Sequence, residues 1–353
     1  MTERRVSRAI RIGDVTVGGG VPVVVQSMAK THTADVRATV EQVKRLEACG
    51  CEIIRVAVPD SEAAGCLSAI KKGISIPLVA DIHFDHRLAL AAIKGGVDGL
   101  RLNPGNISDP AHVAKVVRAA KERQVPIRVG VNGGSLPKTD DESLSVVTRM
   151  VQAAMGQIKL LEDMDFDLIK VSLKAFDVPT TVEAYKTIAG IMPYPLHLGI
   201  TESGTPGCGS IRSAVGIGAM LYLGLGDTIR VSLTGDPTEE VAAAYEILKS
   251  LNLRVRGPTM VSCPTCGRTE VDLISLAQAV EKRMAAVSRP IKVAVMGCVV
   301  NGPGEAKDAD LGIACGRGRG AIFRKGELIC TVDEKDLVDT LMAEVDKLVR
   351  AIS

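Results

Sequence analysis

Three cysteines and one glutamate in the last third of the chain carry the spacing of a metal centre. Cys263-Pro-Thr-Cys266 sets two thiols two residues apart in a Pro-containing turn, so both sulfurs can face one metal from the same side. Cys298 stands alone in Met296-Gly-Cys-Val-Val-Asn-Gly-Pro-Gly-Glu305, and a folded domain must deliver it to the first pair. The turn Asn301-Gly302-Pro303-Gly304 can then swing Glu305 back toward that thiol. Two centres compete for such a set. A structural zinc ribbon is the commoner home of Cys-Pro-x-Cys-Gly, but it closes with a second Cys-x-x-Cys, which the chain lacks. An iron–sulfur cluster held by three thiolates and one weak, exchangeable ligand fits better, because substrate chemistry at a cluster requires an open iron.

Positioning these groups falls to the elements around them. Short apolar strand candidates recur along the first two thirds of the chain, each followed by a helix-like stretch. They are Val21–Ser27, Glu52–Val58, Ile76–Asp81, Val97–Leu102, Pro126–Val131, Phe166–Leu173, Pro195–Ile200 and Asp227–Leu233. Helices are predicted over Val36–Ala48 and Glu142–Glu162, among others. This α/β rhythm matches a closed (β/α)₈ TIM barrel. An open doubly wound sheet would want a glycine fingerprint after its first strand, and Gln26-Ser-Met-Ala supplies none. The first twenty residues, turning at Gly18-Gly-Gly20, read as a hairpin across the barrel bottom. After Leu251–Arg256 the pattern becomes a small α+β unit. It has a strand before Cys263, a helix over Val271–Ala286, a strand at Ile291–Gly297, strands within Asp310–Val332 and a closing helix over Glu334–Ile352. The predicted domains are 1–253 and 254–353.

A barrel carries its active site at the C-terminal ends of its strands. Polar residues predicted there are Gln26, Arg55, Asp81 with His83, Arg101 with Asn103, and Arg128 with Asn132. The later strands add Lys174, Thr201 with Glu202, and Arg230 with Ser232. Burying an unpaired guanidinium is costly, so Arg55, Arg101, Arg128, Lys174 and Arg230 at one mouth, with few acids near, imply a multiply charged anion such as a diphosphate. The loop Gly204-Thr-Pro-Gly-Cys-Gly209, leading into a helix at Ser210, adds backbone N–H donors after the seventh strand. Glu202 reads either as a counter-ion or as a proton donor to a leaving oxygen. His86 is expected to face solvent at the start of the following helix.

Composition narrows the partners. A net charge of +2 gives no global pull toward nucleic acid or membrane. With no Trp, four Phe and four Tyr, stacking platforms for single strands are nearly absent. No segment approaches a membrane span, and Met1-Thr-Glu-Arg-Arg5 does not open a signal peptide. Nine scattered cysteines suit a reducing cytoplasm rather than a disulfide framework. Cys49, Cys51, Cys66, Cys315 and Cys330 are expected to be small buried hydrophobes, and Cys208 is given no role.

Several segments together resemble the 4-hydroxy-3-methylbut-2-enyl diphosphate synthases of the non-mevalonate isoprenoid pathway. They are Ser262-Cys-Pro-Thr-Cys-Gly-Arg268, the Met296–Glu305 segment, Gln26-Ser-Met28, Asp81-Ile-His-Phe84, Arg101-Leu-Asn-Pro-Gly-Asn106 and Gly130-Val-Asn-Gly-Gly-Ser135. Thr201-Glu-Ser-Gly204 and Gly226-Asp-Thr-Ile-Arg-Val-Ser-Leu233 extend the likeness over essentially the whole chain. The resemblance implies the bacterial two-domain form, a TIM barrel followed by a sulfite-reductase-like iron–sulfur domain. It implies a [4Fe–4S] cluster on Cys263, Cys266 and Cys298, with Glu305 on the fourth iron until substrate displaces it. Glu202 is then implicated in acid–base work, although Ser203 stands where Ala is expected. The implied reaction is the reductive ring opening and dehydration of 2-C-methyl-D-erythritol 2,4-cyclodiphosphate. No radical-SAM triad and no nicotinamide or flavin fingerprint was found, so electrons are expected from ferredoxin or flavodoxin. The helix Thr238–Ser250, about 20 Å long, carries the chain away from the barrel mouth, and Leu251–Arg256 spans at most about 20 Å. A head-to-tail homodimer, known in the family, removes that difficulty by letting each cluster domain cap the partner's barrel. Two other classes stand beside this reading: a redox-silent barrel enzyme with a structural zinc ribbon, and a zinc-ribbon module for nucleic acid, which the low charge and few aromatics disfavour.

Overall fold

The computed structural model describes residues 2–83, 85–102, 109–136, 143–298 and 307–352. Two units emerge, Met1–Arg254 and Val255–Ser353. The first opens with an antiparallel hairpin of β1 (Ile10–Ile12) and β2 (Val15–Val17). Eight parallel strands follow: β3 (Val24–Met28), β4 (Ile53–Ala57), β5 (Leu78–Ile82), β6 (Gly99–Leu102), β7 (Ile127–Asn132), β8 (Ile169–Lys174), β9 (His197–Leu198) and β10 (Thr228–Ile229). Their spatial order is β8-β7-β6-β5-β4-β3-β10-β9. A bridge between Val171 and Leu196 draws the two edges together, so the sheet is nearly closed into a TIM barrel.

Each strand leads into a helix: α1 (Val36–Ala48), α2 (Ser61–Gly73), α3 (His86–Lys94), α4 (Pro110–Glu122), α5 (Val146–Glu162), α6 (Val178–Ala189), α7 (Pro206–Tyr222) and α8 (Pro237–Ser250). Asp35, Asp60, Asp85, Asp109, Ser145, Asp177 and Asp236 cap seven of them by accepting a first-turn backbone N–H. The Ser145 cap explains why α5 starts later than its apolar pattern suggested; residue 142 lies outside the described residues.

Alternation along the strands decides what faces the lumen. On β7 and β8, Ile127, Val129, Val131, Ile169, Val171 and Leu173 join the core under the helices. That leaves Arg128, Gly130 and Asn132, with Lys170, Ser172 and Lys174, on the inward face. Barrel lumens are commonly filled by layers of Val, Ile and Leu. Here only the bottom layer is apolar: Val24, Ile53 and Val79 cluster with Ile10, Ile12 and Val17 of the hairpin, which plugs that end. The hairpin turns at Gly13, whose φ of +59° suits glycine, and not at Gly18–Gly20. Those three glycines, also at positive φ, instead lead the chain from β2 into β3.

In the second unit β11 (Thr259–Ser262), β12 (Lys292–Met296) and β13 (Leu311–Gly316) run parallel. An antiparallel meander through β14 (Arg319–Arg324) and β15 (Glu327–Asp333) completes a five-stranded sheet. Helices α9 (Leu273–Met284) and α10 (Leu337–Ile352) pack on it through Leu276, Val280, Leu341 and Val345. This core shares no residue with that of the barrel. Among the described residues, no helix is long and apolar enough to cross a membrane.

Candidate active site

The barrel lumen concentrates cations that strand alternation has no means of sending outward. Arg55, Arg101, Arg128, Lys170 and Lys174 are all buried, and Arg230 is nearly so. Two carboxylates answer them. Arg101 Nη1 donates to Asp81 Oδ1 at 2.9 Å, and Arg55 Nε lies 3.4 Å from Asp81 Oδ2. His83 Nε2 is 3.4 Å from the same Oδ1. Burial alone would raise the Asp81 carboxyl, but Arg55, His83, Arg101 and Arg128 hold it well below the usual carboxylate range. The second acid is Glu240 of α8, which reaches in from the wall. It accepts from Ser27 Oγ at 3.2 Å and Leu233 N at 3.0 Å, and pairs with Lys30 Nζ at 3.0 Å and Arg230 Nη2 at 3.6 Å.

Among the described residues these six cations, with Lys30 beside Glu240, outnumber the acids they pair with, Asp81 and Glu240. Among the described residues neither Arg128 nor Lys174 has a carboxylate partner, and Arg128 Nε and Nη1 find no acceptor at all. Burial pushes Arg55 down to about 10, and burial with neighbouring cations pushes Arg128 and Lys174 far below their ordinary values. A guanidinium stays protonated in a protein, so these shifts express a demand for an anion. Two glycines make room for the charges. A Cβ at Gly130 would sit 3.1 Å from Arg101 Nε, and one at Gly199 would collide with Lys174 Nζ. Lys174 Nζ is 3.4 Å from Nε2 of fully buried His197, whose Nδ1 is 2.7 Å from Thr228 Oγ1. Burial and the surrounding cations push His197 far down, so its neutral ring can accept from Lys174.

Above β9 the chain enters the Thr201–Gly204 turn. Glu202 holds φ at +53°, a left-handed conformation rare for Glu that costs on the order of 1 kcal/mol or more. The next residue keeps it there: buried Ser203 donates from Oγ to Ile200 O at 3.2 Å, accepts from Ser213 Oγ at 3.2 Å, and its carbonyl takes Arg212 Nη1. Glu202 itself is exposed. Helix α7 starts at Pro206, earlier than predicted, so the glycine-rich stretch forms its first turn. Its N-cap Thr205 makes no side-chain capping bond, which leaves first-turn amides for a ligand.

The thiols lie just past the strand ends of the second unit. Because β11 and β12 run parallel with Ser262 opposite Val295, Cys263 and Cys298 leave the sheet at the same edge. Gly297 N donates to Cys263 Sγ at 3.3 Å, and the Arg268 N–H draws the exposed Cys266 thiol below its ordinary value. N–H donors aimed at sulfur favour thiolates. A Cβ at Gly297 would meet Leu273 Cδ2 at 2.8 Å, so glycine is needed where the chain passes α9. Among the described residues no three His, Cys, Asp or Glu side chains meet at metal-binding distance. Cys298 leads straight into residues 299–306, which lie outside the described residues, as do Asn103 and Glu305. The chemistry of the donor set, three cysteines of which Cys263 and Cys266 have N–H groups aimed at sulfur, fits an iron–sulfur cluster.

Other expectations change. Gln26, Arg55 and Arg128 are not strand-end residues: Gln26 and Arg55 are each third of five, in β3 and β4, and Arg128 is second of six in β7, so all three serve the lumen from within. Acids are not scarce for Arg55, Arg101 and Arg230, which pair with Asp81 or Glu240. His86 stacks on His112 with ring centroids 3.6 Å apart instead of facing solvent, because α3 and α4 are neighbours. Cys49 is exposed at the end of α1, and Cys66 and Cys330 are half-buried. Cys315 is buried, as expected, and burial pushes its thiol up to about 12. Asn132 ends β7, with Thr201 and Ser232 beyond β9 and β10.

Comparison with known proteins agrees along the whole length. Residues 7–245 match the GcpE TIM-barrel domain and residues 259–347 the GcpE protein C-terminal domain. A Dehalococcoides mccartyi protein named 4-hydroxy-3-methylbut-2-en-1-yl diphosphate synthase (flavodoxin) is 64% identical over 348 residues, covering 99% of this chain and 100% of the relative. A protein of the same name from Geobacter sulfurreducens is 56% identical, covering 97% and 98% respectively. Among solved structures, Yersinia pestis dihydropteroate synthase superimposes with a TM-score of 0.51 at 12% identity, covering 69% of this chain and 98% of that one, a likeness of fold alone. The chain therefore belongs to the GcpE family, the iron–sulfur oxidoreductases known as 4-hydroxy-3-methylbut-2-en-1-yl diphosphate synthases.

Proposed function

We propose that this chain converts 2-C-methyl-D-erythritol 2,4-cyclodiphosphate to (E)-4-hydroxy-3-methylbut-2-enyl diphosphate in isoprenoid synthesis, with reduced flavodoxin as electron donor. The observation that carries this reading is the unpaired cationic lumen, above all Arg128 with two N–H groups lacking an acceptor. A diphosphate meets that demand. Residues 1–253 hold the substrate: Arg55, Arg101, Arg128, Lys174 and Arg230 grip the diphosphate. Asn103, Asn132, Thr201, Ser232 and His83 orient the carbon skeleton. Residues 254–353 hold a [4Fe–4S] cluster through Cys263, Cys266 and Cys298, with Glu305 as exchangeable fourth ligand. The cluster supplies two electrons when bound. The bond from a ring carbon to the diphosphate breaks, the diphosphate stays on the lumen cations, and one hydroxyl leaves as water with a proton. Glu202 manages that proton; its strained, left-handed backbone just beyond β9 supports this role.

The reading includes a homodimer, and the place where the barrel releases the chain supports it. Arg254 Nη1 donates to Val23 O and pairs with Glu52, both at 2.7 Å, and these residues precede β3 and β4 at the end opposite the mouth. A head-to-tail pair would let each cluster domain serve the partner's mouth. Nine cysteines, none of them in a disulfide, suit a reducing cytoplasm.

The test is anaerobic purification with iron, sulfide and zinc analysis, then turnover of the cyclodiphosphate with reduced flavodoxin. About four irons per chain and formation of the linear diphosphate are expected; one zinc without iron would overturn the reading. Mixing exchanged subunits of Glu202→Gln and Cys298→Ala should restore about a quarter of wild-type activity if sites form between copies.

A further inference from the structure

Strand β9 sets a histidine among the lumen cations. Leu198 joins the core under the helices, so alternation turns His197 and Gly199 toward the lumen. His197 is fully buried, and strand pairing sets it directly opposite Thr228 of β10. Its Nδ1 lies 2.7 Å from Thr228 Oγ1 and its Nε2 lies 3.4 Å from Lys174 Nζ. From α6, the hydroxyl of buried Tyr185 donates to the His197 carbonyl. A Cβ at Gly199 would strike both Lys174 Nζ and the Arg230 carbonyl. The Lys174 side chain thus has a channel to lie in and a ring nitrogen to point at. An ammonium can only donate, so Nε2 presents its lone pair and the ring proton sits on Nδ1, given to Thr228. A second ring proton would add charge among Lys174, Arg128, Lys170 and Arg55, and burial with these cations pushes the ring far below its ordinary value.

We propose that His197 is a positioning residue for Lys174: it fixes the direction of the ammonium through an uncharged acceptor and so keeps the full charge for an incoming phosphoryl group. A carboxylate in its place would aim Lys174 as well but cancel the charge. That is the condition of Arg101, bonded to Asp81, and of Arg230, beside Glu240. One ammonium hydrogen goes to the ring and two remain for phosphoryl oxygens. Thr228 fixes the ring's tautomer and Tyr185 pins its backbone. The proposal rests on the reading of the lumen as a diphosphate site.

The test uses the full-length, cluster-loaded enzyme without reductant, so that the cyclodiphosphate binds and does not turn over. The chain has five histidines, so isotopic labelling of their ring nitrogens gives few NMR signals. One ring should stay protonated on Nδ1 alone from about pH 6 to 8, and its Nε2 signal should move when the cyclodiphosphate is added. Loss of that signal in His197→Gln assigns it. In titration calorimetry His197→Gln, which keeps an uncharged acceptor, should bind the cyclodiphosphate within about threefold of wild type. His197→Leu should lose affinity roughly tenfold, and His197→Glu, which cancels the charge, should lose more. With reduced flavodoxin the losses should appear in KM more than in kcat. His197→Leu binding as tightly as His197→Gln would overturn the proposal. So would a wild-type His197 ring protonated on Nε2, a result that decides the matter even if the variants fail to fold. A wild type that binds no cyclodiphosphate would overturn the diphosphate reading itself, and the proposal with it.

Discussion

In the barrel Arg55, Arg101, Arg128 and Lys174 sit within strands and are buried before any ligand arrives; in the second unit the thiols sit just beyond strand ends, and Cys266 is exposed. The barrel groups are covalently fixed to rigid neighbours, so their mutual repulsion is built in and an anion relieves it. The thiols repel nothing while protonated, and a cluster would tie their turns together only when it forms. One unit is therefore strained when empty and relaxed when filled. The other is relaxed when empty and organised by what it binds.

The sharpest way to break this contrast is Cys298→Ala. Iron content and turnover should fall below detection, while titration calorimetry should find affinity for a diphosphate analogue unchanged, because the two cores share no residue. Loss of analogue binding in step with iron would show the units are coupled. Glu202→Gln comes next, with turnover down roughly 10²–10⁴-fold and analogue affinity kept. Equal losses in both would make Glu202 a binding residue.

Within the barrel, paired and unpaired arginines should part company. Arg101→Met removes the 2.9 Å partner of buried Asp81 and should cost about 3–5 kcal/mol in urea unfolding. Arg128→Met removes a guanidinium that lacks a carboxylate partner, so stability should hold or rise while analogue affinity drops by roughly 1.5–3 kcal/mol. Matching destabilisation in both variants would mean Arg128 has an acceptor after all.

The smallest effect is a pH slope. Lys170 and Lys174 have folded values below their unfolded ones, so the unfolded chain binds more protons at neutral to mildly alkaline pH. Stability of the ligand-free barrel should therefore rise with pH from the lowered folded values toward the ordinary lysine value near 10.4, and be lost as pH falls. Asp81, with its folded value lowered, stabilises above about pH 4 and loses that contribution in stronger acid. Saturating diphosphate analogue should flatten the alkaline rise. A steeper rise with analogue present would contradict the cationic strain.

Much of this was legible in the chain because it rests on local pattern. Helix α1 occupies the residues its apolar spacing predicts, Val36–Ala48, and all eight barrel strands fall within or close to the apolar runs. Lys170 and His197 were missed although a signal existed. Ile169-Lys-Val-Ser-Leu-Lys174 alternates apolar with polar, which in a strand buried on both faces marks inward groups. Glu240 carried no such mark: on an amphipathic helix it reads as a solvated face, and only three-dimensional packing turns it into the partner of Arg230. The hairpin turn went to the wrong glycines because three in a row outweigh one in any pattern count, whereas strand pairing selected Gly13.

The parallel pairing of β11 with β12 has a consequence for how the thiols can fail. With Ser262 opposite Val295, the sheet acts as a gauge block that sets Cys263 beside Gly297, the residue before Cys298. A slip of one residue would displace one sulfur by about 3.3 Å and turn it to the other face. What holds the gauge is remote: Val293 and Val295 share one buried core with Leu276 and Val280 of α9 and Leu341 of α10. Trimming those aliphatic side chains should yield protein that still folds yet assembles iron poorly, a calibration error with every ligand residue intact.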